Sequence, residues 1–226
     1  ANGTSLTYQW QQDNGGGFAN LSNGGSVSGA TSASLTLSSV GTGMDGYDYG
    51  LVMTNTGCGS ITSSQANLDV VAKPAITSNP SNSTDCVDDD PTFSVTATGD
   101  ALTYQWQVNT GSGFTNLSNG GVYSNVDAAT MNITDVTAAM DGFVYRCEVD
   151  NANCAAVQSG SATLTVQTAP SISSQPSNAT VCVDDDPTFS VTASGTSITY
   201  QWQVNSGGGF TNLSNGGVYS NVDAAT

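Results

Sequence analysis

The chain has 226 residues, of which 18 are acidic and two basic, for a net charge of −16 with no histidine. That balance excludes a nucleic-acid surface, which needs Lys and Arg, and argues against anionic membranes. No apolar run nears the ~20 residues of a spanning helix and no signal-peptide pattern opens the sequence, so no membrane insertion is expected here. With one Lys (Lys73), one Arg (Arg146) and one Glu (Glu148), no catalytic constellation can be assembled, and the chain is not expected to be an enzyme. Three Trp, eight Tyr and six Phe still permit a packed core.

The tripeptide Tyr-Gln-Trp stands at Tyr8–Trp10, Tyr104–Trp106 and Tyr200–Trp202, a period of 96 residues. Cys86 recurs as Cys182 and Cys58 as Cys154, at the same spacing. Residues 86–130 and 182–226 match at 39 of 45 positions without a gap. The phase assigns 1–72 to the C-terminal part of one copy, 73–168 to a complete copy and 169–226 to the N-terminal part of a third. A half-sandwich exposes an unpaired sheet edge, so the chain reads as a segment of a longer array.

In the complete copy, the runs follow one another with period-2 alternation. Phe93, Val95 and Ala97 lead. Leu102, Tyr104 and Trp106 follow, then Met131 and Ile133, then Phe143, Tyr145 and Cys147, and last Leu164 and Val166. Turn residues separate the runs at Asp88–Pro91, Gly99–Ala101, Thr110–Gly113, Ser118–Gly121, Met140–Gly142 and Asp150–Asn153. One short helical turn is expected at Thr137–Met140. Seven to nine short strands in about 100 residues predict an all-β fold, a tandem array of β-sandwiches.

Met131-x-Ile133-x-x-Val136, then Asp141 and Tyr145-x-Cys147, resembles the E–F region of immunoglobulin domains. Trp106 sits where those domains carry the strand-C tryptophan, and Val95 where strand B carries its cysteine. The whole unit is similar to the immunoglobulin-like repeats of large bacterial secreted and cell-surface proteins, adhesins among them. The resemblance implies a core of Trp106, Tyr145 and Cys147 and an extracellular or cell-surface location. It also implies a structural or adhesive role in a stalk or filament. The implied partners are neighbouring repeats, other copies of the chain, and surface glycans or host and neighbouring cell surfaces. A carbohydrate-binding array attached to a secreted enzyme is the alternative, and it needs exposed, aligned aromatic rings; Phe114, Phe210, Tyr123 and Tyr219 are its candidates.

An extracellular array with recurring cysteines points to disulfides. The resemblance implies that the usual partner position of Cys147 holds Val95 rather than a cysteine, and the first-copy equivalent of Cys147 is Leu51, so it reads as a buried thiol. Three pairings stay open for the rest: Cys86 with Cys154 in one copy, Cys86 with the equivalent of Cys154 in the next copy, and Cys147 with Cys154. The first is favoured here. Zinc is not expected, because no CxxC spacing occurs.

Asp88, Asp89 and Asp90 recur as Asp184, Asp185 and Asp186. Three adjacent carboxylates read either as a solvated polar turn or as a hard-oxygen site for Ca²⁺. No other cofactor is expected. Asn-x-Ser/Thr sequons occur at Asn2, Asn20, Asn82, Asn116, Asn132, Asn178 and Asn212. The linkers Ala72-Lys73-Pro74 and Thr168-Ala169-Pro170 are short and stiffened by proline.

Overall fold

The computed structural model describes residues 6–225, so the sequon at Asn2 lies outside the described residues. The described regular elements are strands plus two 3₁₀ turns, Thr42–Met44 and Ala138–Met140. The second of these is the helical turn expected before Asp141. The chain divides into two compact units. One comprises Ala1–Ala75 with the loops Ala97–Leu102 and Asp150–Ala156; the other comprises Ile76–Thr96, Thr103–Val149 and Val157–Thr226.

Strands of the complete copy form two layers. One sheet runs in the order Phe114–Asn116, Thr103–Asn109, Val144–Asn151, Ala162–Gln167, Ser83–Cys86, with Cys154–Gln158 also paired to Val144–Asn151. The other runs Thr92–Ser94, Thr130–Ile133, Tyr123–Ser124. Ala75–Ser78 pairs separately with Thr96–Thr98. The ladder between Ser83–Cys86 and Ala162–Gln167 is parallel, with Leu164 opposite Ser83 and Gln167 opposite Cys86. This strand adds to the sheet edge beside the copy's last strand.

Alternation decides which side chains meet between the sheets. Tyr145, Cys147 and Val149 are buried from one strand, Leu164 and Val166 from its neighbour, and Phe93, Met131 and Ile133 from the facing sheet. Fully burying each such side chain contributes about 1.5–3 kcal/mol. The Asp141 carboxylate accepts the Val166 N–H at 2.8 Å and ties the 3₁₀ turn to the last strand. Asp45 does the same for Val70 in the first copy, also at 2.8 Å.

One expected run is broken. The alternation from Phe93 to Ala97 predicted a single strand, but it divides at Val95, whose N–H is donated to Ala129 O at 2.9 Å. The segment before Val95 pairs with Thr130–Ile133, and the segment after it with Ala75–Ser78. A single side-chain pattern is thereby shared between two strand partners.

Residues 6–72 carry a five-stranded sheet in which Leu6–Asp13 pairs with Tyr47–Asn55 along its whole length, and a separate pair of Val27–Ser28 with Thr36–Leu37. Among the described residues after 168, Ser171–Ser174 pairs with Thr192–Ser194 and Gln203–Asn205 with Phe210–Asn212, and Gly216 bridges Tyr219.

Candidate functional site

Trp106, Tyr145 and Cys147 are all fully buried. The ring that meets both aromatics is Phe93, whose centroid lies 4.9 Å from Tyr145 and 6.5 Å from Trp106. Trp106 Nε1 donates to Ala128 O at 2.9 Å, which satisfies its only polar atom. The hydroxyls of Tyr145 and Tyr123 share a hydrogen bond of 3.2 Å. Burial, reinforced by that bond, raises the Tyr145 pKa far above the ordinary phenol value. Burial pushes the Cys147 thiol up to about 11. A thiol so desolvated is a packing group rather than a nucleophile.

The acidic triplet braces its own turn. Asp89 accepts the Cys86 N–H at 2.7 Å and returns its own N–H to Cys86 O at 3.1 Å. Asp90 accepts the Asp135 N–H at 2.9 Å. Asp88 lies in the left-handed region, φ +71°, and donates its N–H to Val136 O at 2.8 Å. In the third copy, Asp184 keeps φ +71° and Asp185 accepts the Cys182 N–H at 2.7 Å. Among the described residues, no three His, Cys, Asp or Glu side chains converge to hold a metal ion.

The candidate aromatic platform is engaged in the complete copy. The Arg146 guanidinium lies 4.0 Å above the Phe114 ring, while its Nε donates to Gln107 at 2.7 Å. Tyr123 is held by Tyr145. The sequon residue Asn116 accepts from Gln107 Nε2 at 2.8 Å, a cross-strand pair repeated by Asn20 with Gln11 and by Asn212 with Gln203.

The favoured pairing of Cys86 with Cys154 is corrected. All five cysteines are free thiols. Cys86 lies opposite Gln167, the last residue of its strand. That strand runs antiparallel to Val144–Asn151, with Thr163 opposite Val144 and Ala162 opposite Tyr145, so Gln167 lies off the Val144 end. Cys154 follows the Asn151 end, with the length of an eight-residue strand, about 25 Å, in between. A disulfide needs Cα atoms within about 7 Å.

What the sequence did not single out is a polar clamp on each linker. Ala72 donates its N–H to Asp100 Oδ2 at 2.7 Å and accepts the Asp100 N–H at 3.3 Å. One period on, Thr168 donates its N–H to Thr196 Oγ1 at 2.9 Å and accepts the Thr196 N–H at 3.1 Å. Gly99 (φ +138°) and Gly195 (φ +142°) admit the linker backbone. A Cβ at Gly99 would stand 2.9 Å from Lys73 O, and one at Gly195 3.0 Å from Ala169 O. At the first clamp the buried Asn151 uses its whole amide. Its Nδ2 donates to Ala72 O at 3.0 Å and Asp100 O at 3.2 Å, and its Oδ1 accepts from Asn153 N and Cys154 N. The recurrence of Gly99 as Gly195 and of Asn55 as Asn151 at the 96-residue period was the available signal.

No protein-family model matches the chain, and no curated protein matches it by sequence. Among solved structures, the I-band fragment I67–I69 from titin aligns at TM-score 0.69 and 19% identity. It covers 94% of this chain and 72% of the titin fragment. The three-Ig structure of titin domains I67–I69 in an E-to-A mutated variant aligns at TM-score 0.69 and 20% identity, with the same coverage. At that identity the likeness is one of fold. The protein is a tandem array of immunoglobulin-like β-sandwich repeats.

Proposed function

We propose that the chain is part of an extracellular structural or adhesive repeat array, a stretch of a surface stalk or filament that projects whatever its ends carry. The boundaries follow the repeat phase: 1–72, 73–168 and 169–226. The observation that carries the reading is the recurrence of the linker clamp, Ala72 with Asp100 and Thr168 with Thr196. A linker that served only as a tether would need no hydrogen bonds to the copy that follows it. Composition supports an exposed life. Trypsin has only Arg146, bound to Gln107 and Phe114, and Lys73, which precedes Pro74. The carbohydrate-binding alternative lacks an aligned aromatic face in the complete copy, since Phe114 and Tyr123 are both engaged.

The test is antibody labelling of the native source cells. Antibodies raised against residues 1–226 should label intact cells, and brief external proteolysis should remove the signal. Labelling that appears only after permeabilisation would overturn the extracellular reading.

A further inference from the structure

We propose that the array carries a disulfide at each joint, linking the Cys86 position of one copy to the Cys154 position of the copy that follows. Two observations from different parts of the chain fall on one repeat position, the backbone carbonyl of Gln167 and that of its equivalent one period earlier, Val71. In the complete copy, Cys86 is the ladder partner of Gln167, and the next residue, Val87, donates its N–H to Gln167 O at 3.0 Å. One period earlier the residue in the place of Gln167 is Val71. The Cys154 thiol lies 3.9 Å from Val71 O. The thiol therefore approaches the carbonyl whose equivalent, one period on, receives the N–H beside Cys86. The two distances bound a Val87-type nitrogen to within about 7 Å of the thiol, and the Cys86 position is its immediate neighbour in the chain.

Transfer by one period is justified because the joints repeat. The same reciprocal pair closes Ala72 on Asp100 and Thr168 on Thr196, and Gly99 and Gly195 share one backbone conformation. Residues 1–226 hold Cys86-type positions at 86 and 182 and Cys154-type positions at 58 and 154. In no case does a Cys154-type position fall in the copy that follows a Cys86-type position. Within this stretch the pairing therefore joins none of Cys58, Cys86, Cys154 and Cys182 to one another. Cys86 and Cys182 are exposed and Cys154 half-buried beside the linker, so reagents reach them. Cys147, buried in the core, takes no part.

The bond forms by exchange with a low-molecular-weight disulfide such as oxidised glutathione. One cysteine thiolate attacks it, expels a glutathione thiolate and is left as a mixed disulfide. The second cysteine thiolate attacks the protein sulfur of that mixed disulfide and expels the other glutathione. Two protein thiols lose two protons and two electrons, and the small disulfide leaves as two thiols. The proposal rests on the extracellular reading for its oxidising surroundings. Its geometry does not, so a test that supplies its own oxidant separates failure of the pairing from failure of the location.

Ala1 is in phase with Ala97, so residues 73–96 joined ahead of Ala1 complete the first copy. They also supply a Cys86 position one joint before Cys154. This extended chain is equilibrated with reduced and oxidised glutathione, alkylated, and mapped by non-reducing peptide mass spectrometry. The expected product is one crosslink, between the added cysteine and Cys154, with Cys147 still alkylated after denaturation. In the unextended chain Cys154 should remain alkylatable. A second chain, with residues 131–168 joined after Thr226, completes the third copy instead and should crosslink Cys86 to the added Cys154-type residue. It keeps the proposal testable if the first extension does not fold. A crosslink between Cys86 and Cys154 of the same copy, or free thiols at the completed joint of a folded chain, overturns it.

Discussion

Residues 86–130 and 182–226 are nearly the same sequence in two different settings. Their turns and local side-chain hydrogen bonds are the same. Trp106 and Trp202 each donate Nε1 to an alanine carbonyl at 2.9 Å, and Gln105 and Gln201 each bridge two carbonyls through Nε2. Asn109 and Asn205 each gather two glycine N–H groups with one Oδ1. Their burial is not the same. Phe93 is 1% exposed and its equivalent Phe189 46%; Val87 is half-buried and Val183 is 90% exposed. The turns are thus written in contacts within about 25 residues. The core depends on strands contributed from 50 residues further on, Val144–Asn151 and Ala162–Gln167, which only the complete copy has beside it.

The contrast can be broken most directly at the tryptophans. Trp106→Ala should cost about 3–5 kcal/mol of stability, the range for large aromatic truncations in cores, and Trp202→Ala far less. Urea unfolding followed by circular dichroism measures both. Equal losses would mean that the third copy packs as the second does. Next comes the clamp. Asn151→Ala should cost about 1–3 kcal/mol, because it strips a donor from two carbonyls inside the structure. Asn55, whose side chain among the described residues holds Gly57 N, should tolerate the same change. Amide exchange at Cys154 reports the loss directly, and unchanged protection there would remove the clamp from the account.

A third probe compares Cys147 with Leu51 at the same repeat position. Burial raises the thiol from its ordinary value of 9.0 to about 11. The folded state therefore holds this proton more tightly than the unfolded chain does, and the associated stability is complete below pH 9 and lost as pH rises towards 11. Cys147→Leu should flatten the stability profile between those limits. A profile with the same slope in both proteins would show that other groups govern it. The smallest effect is expected at the acidic turns. Their carboxylates already accept backbone N–H groups in both copies, so neither EDTA nor added Ca²⁺ should move the melting temperature. A shift of several degrees would restore the cation reading.

The two sheets and their buried faces were legible because alternation is a local signal that a sandwich enforces strand by strand. The repeat made the phase of each copy plain. The cysteine pairing was not legible within one copy. Recurrence makes Cys86 and Cys154 look like partners, yet which strand ends coincide is fixed by ladder register between segments some 80 residues apart. The divided strand at Val95 was equally hidden, since a side-chain pattern does not reveal a change of partner. The clamp escaped notice because Asn151 and Ala72, 79 residues apart, resemble any other turn residues until they meet.

The parallel ladder of Ser83–Cys86 on Ala162–Gln167 has a mechanical consequence. One strand lies near the start of the copy and the other closes it. When the two ends are drawn apart, the strands are pulled in opposite directions along their own axes. All four register pairs then carry the load together, in shear. An antiparallel terminal hairpin would instead peel open one bond at a time. A copy built this way should yield at a higher force along its length than when the same ladder is pulled sideways, and single-molecule extension from two attachment geometries would compare the two.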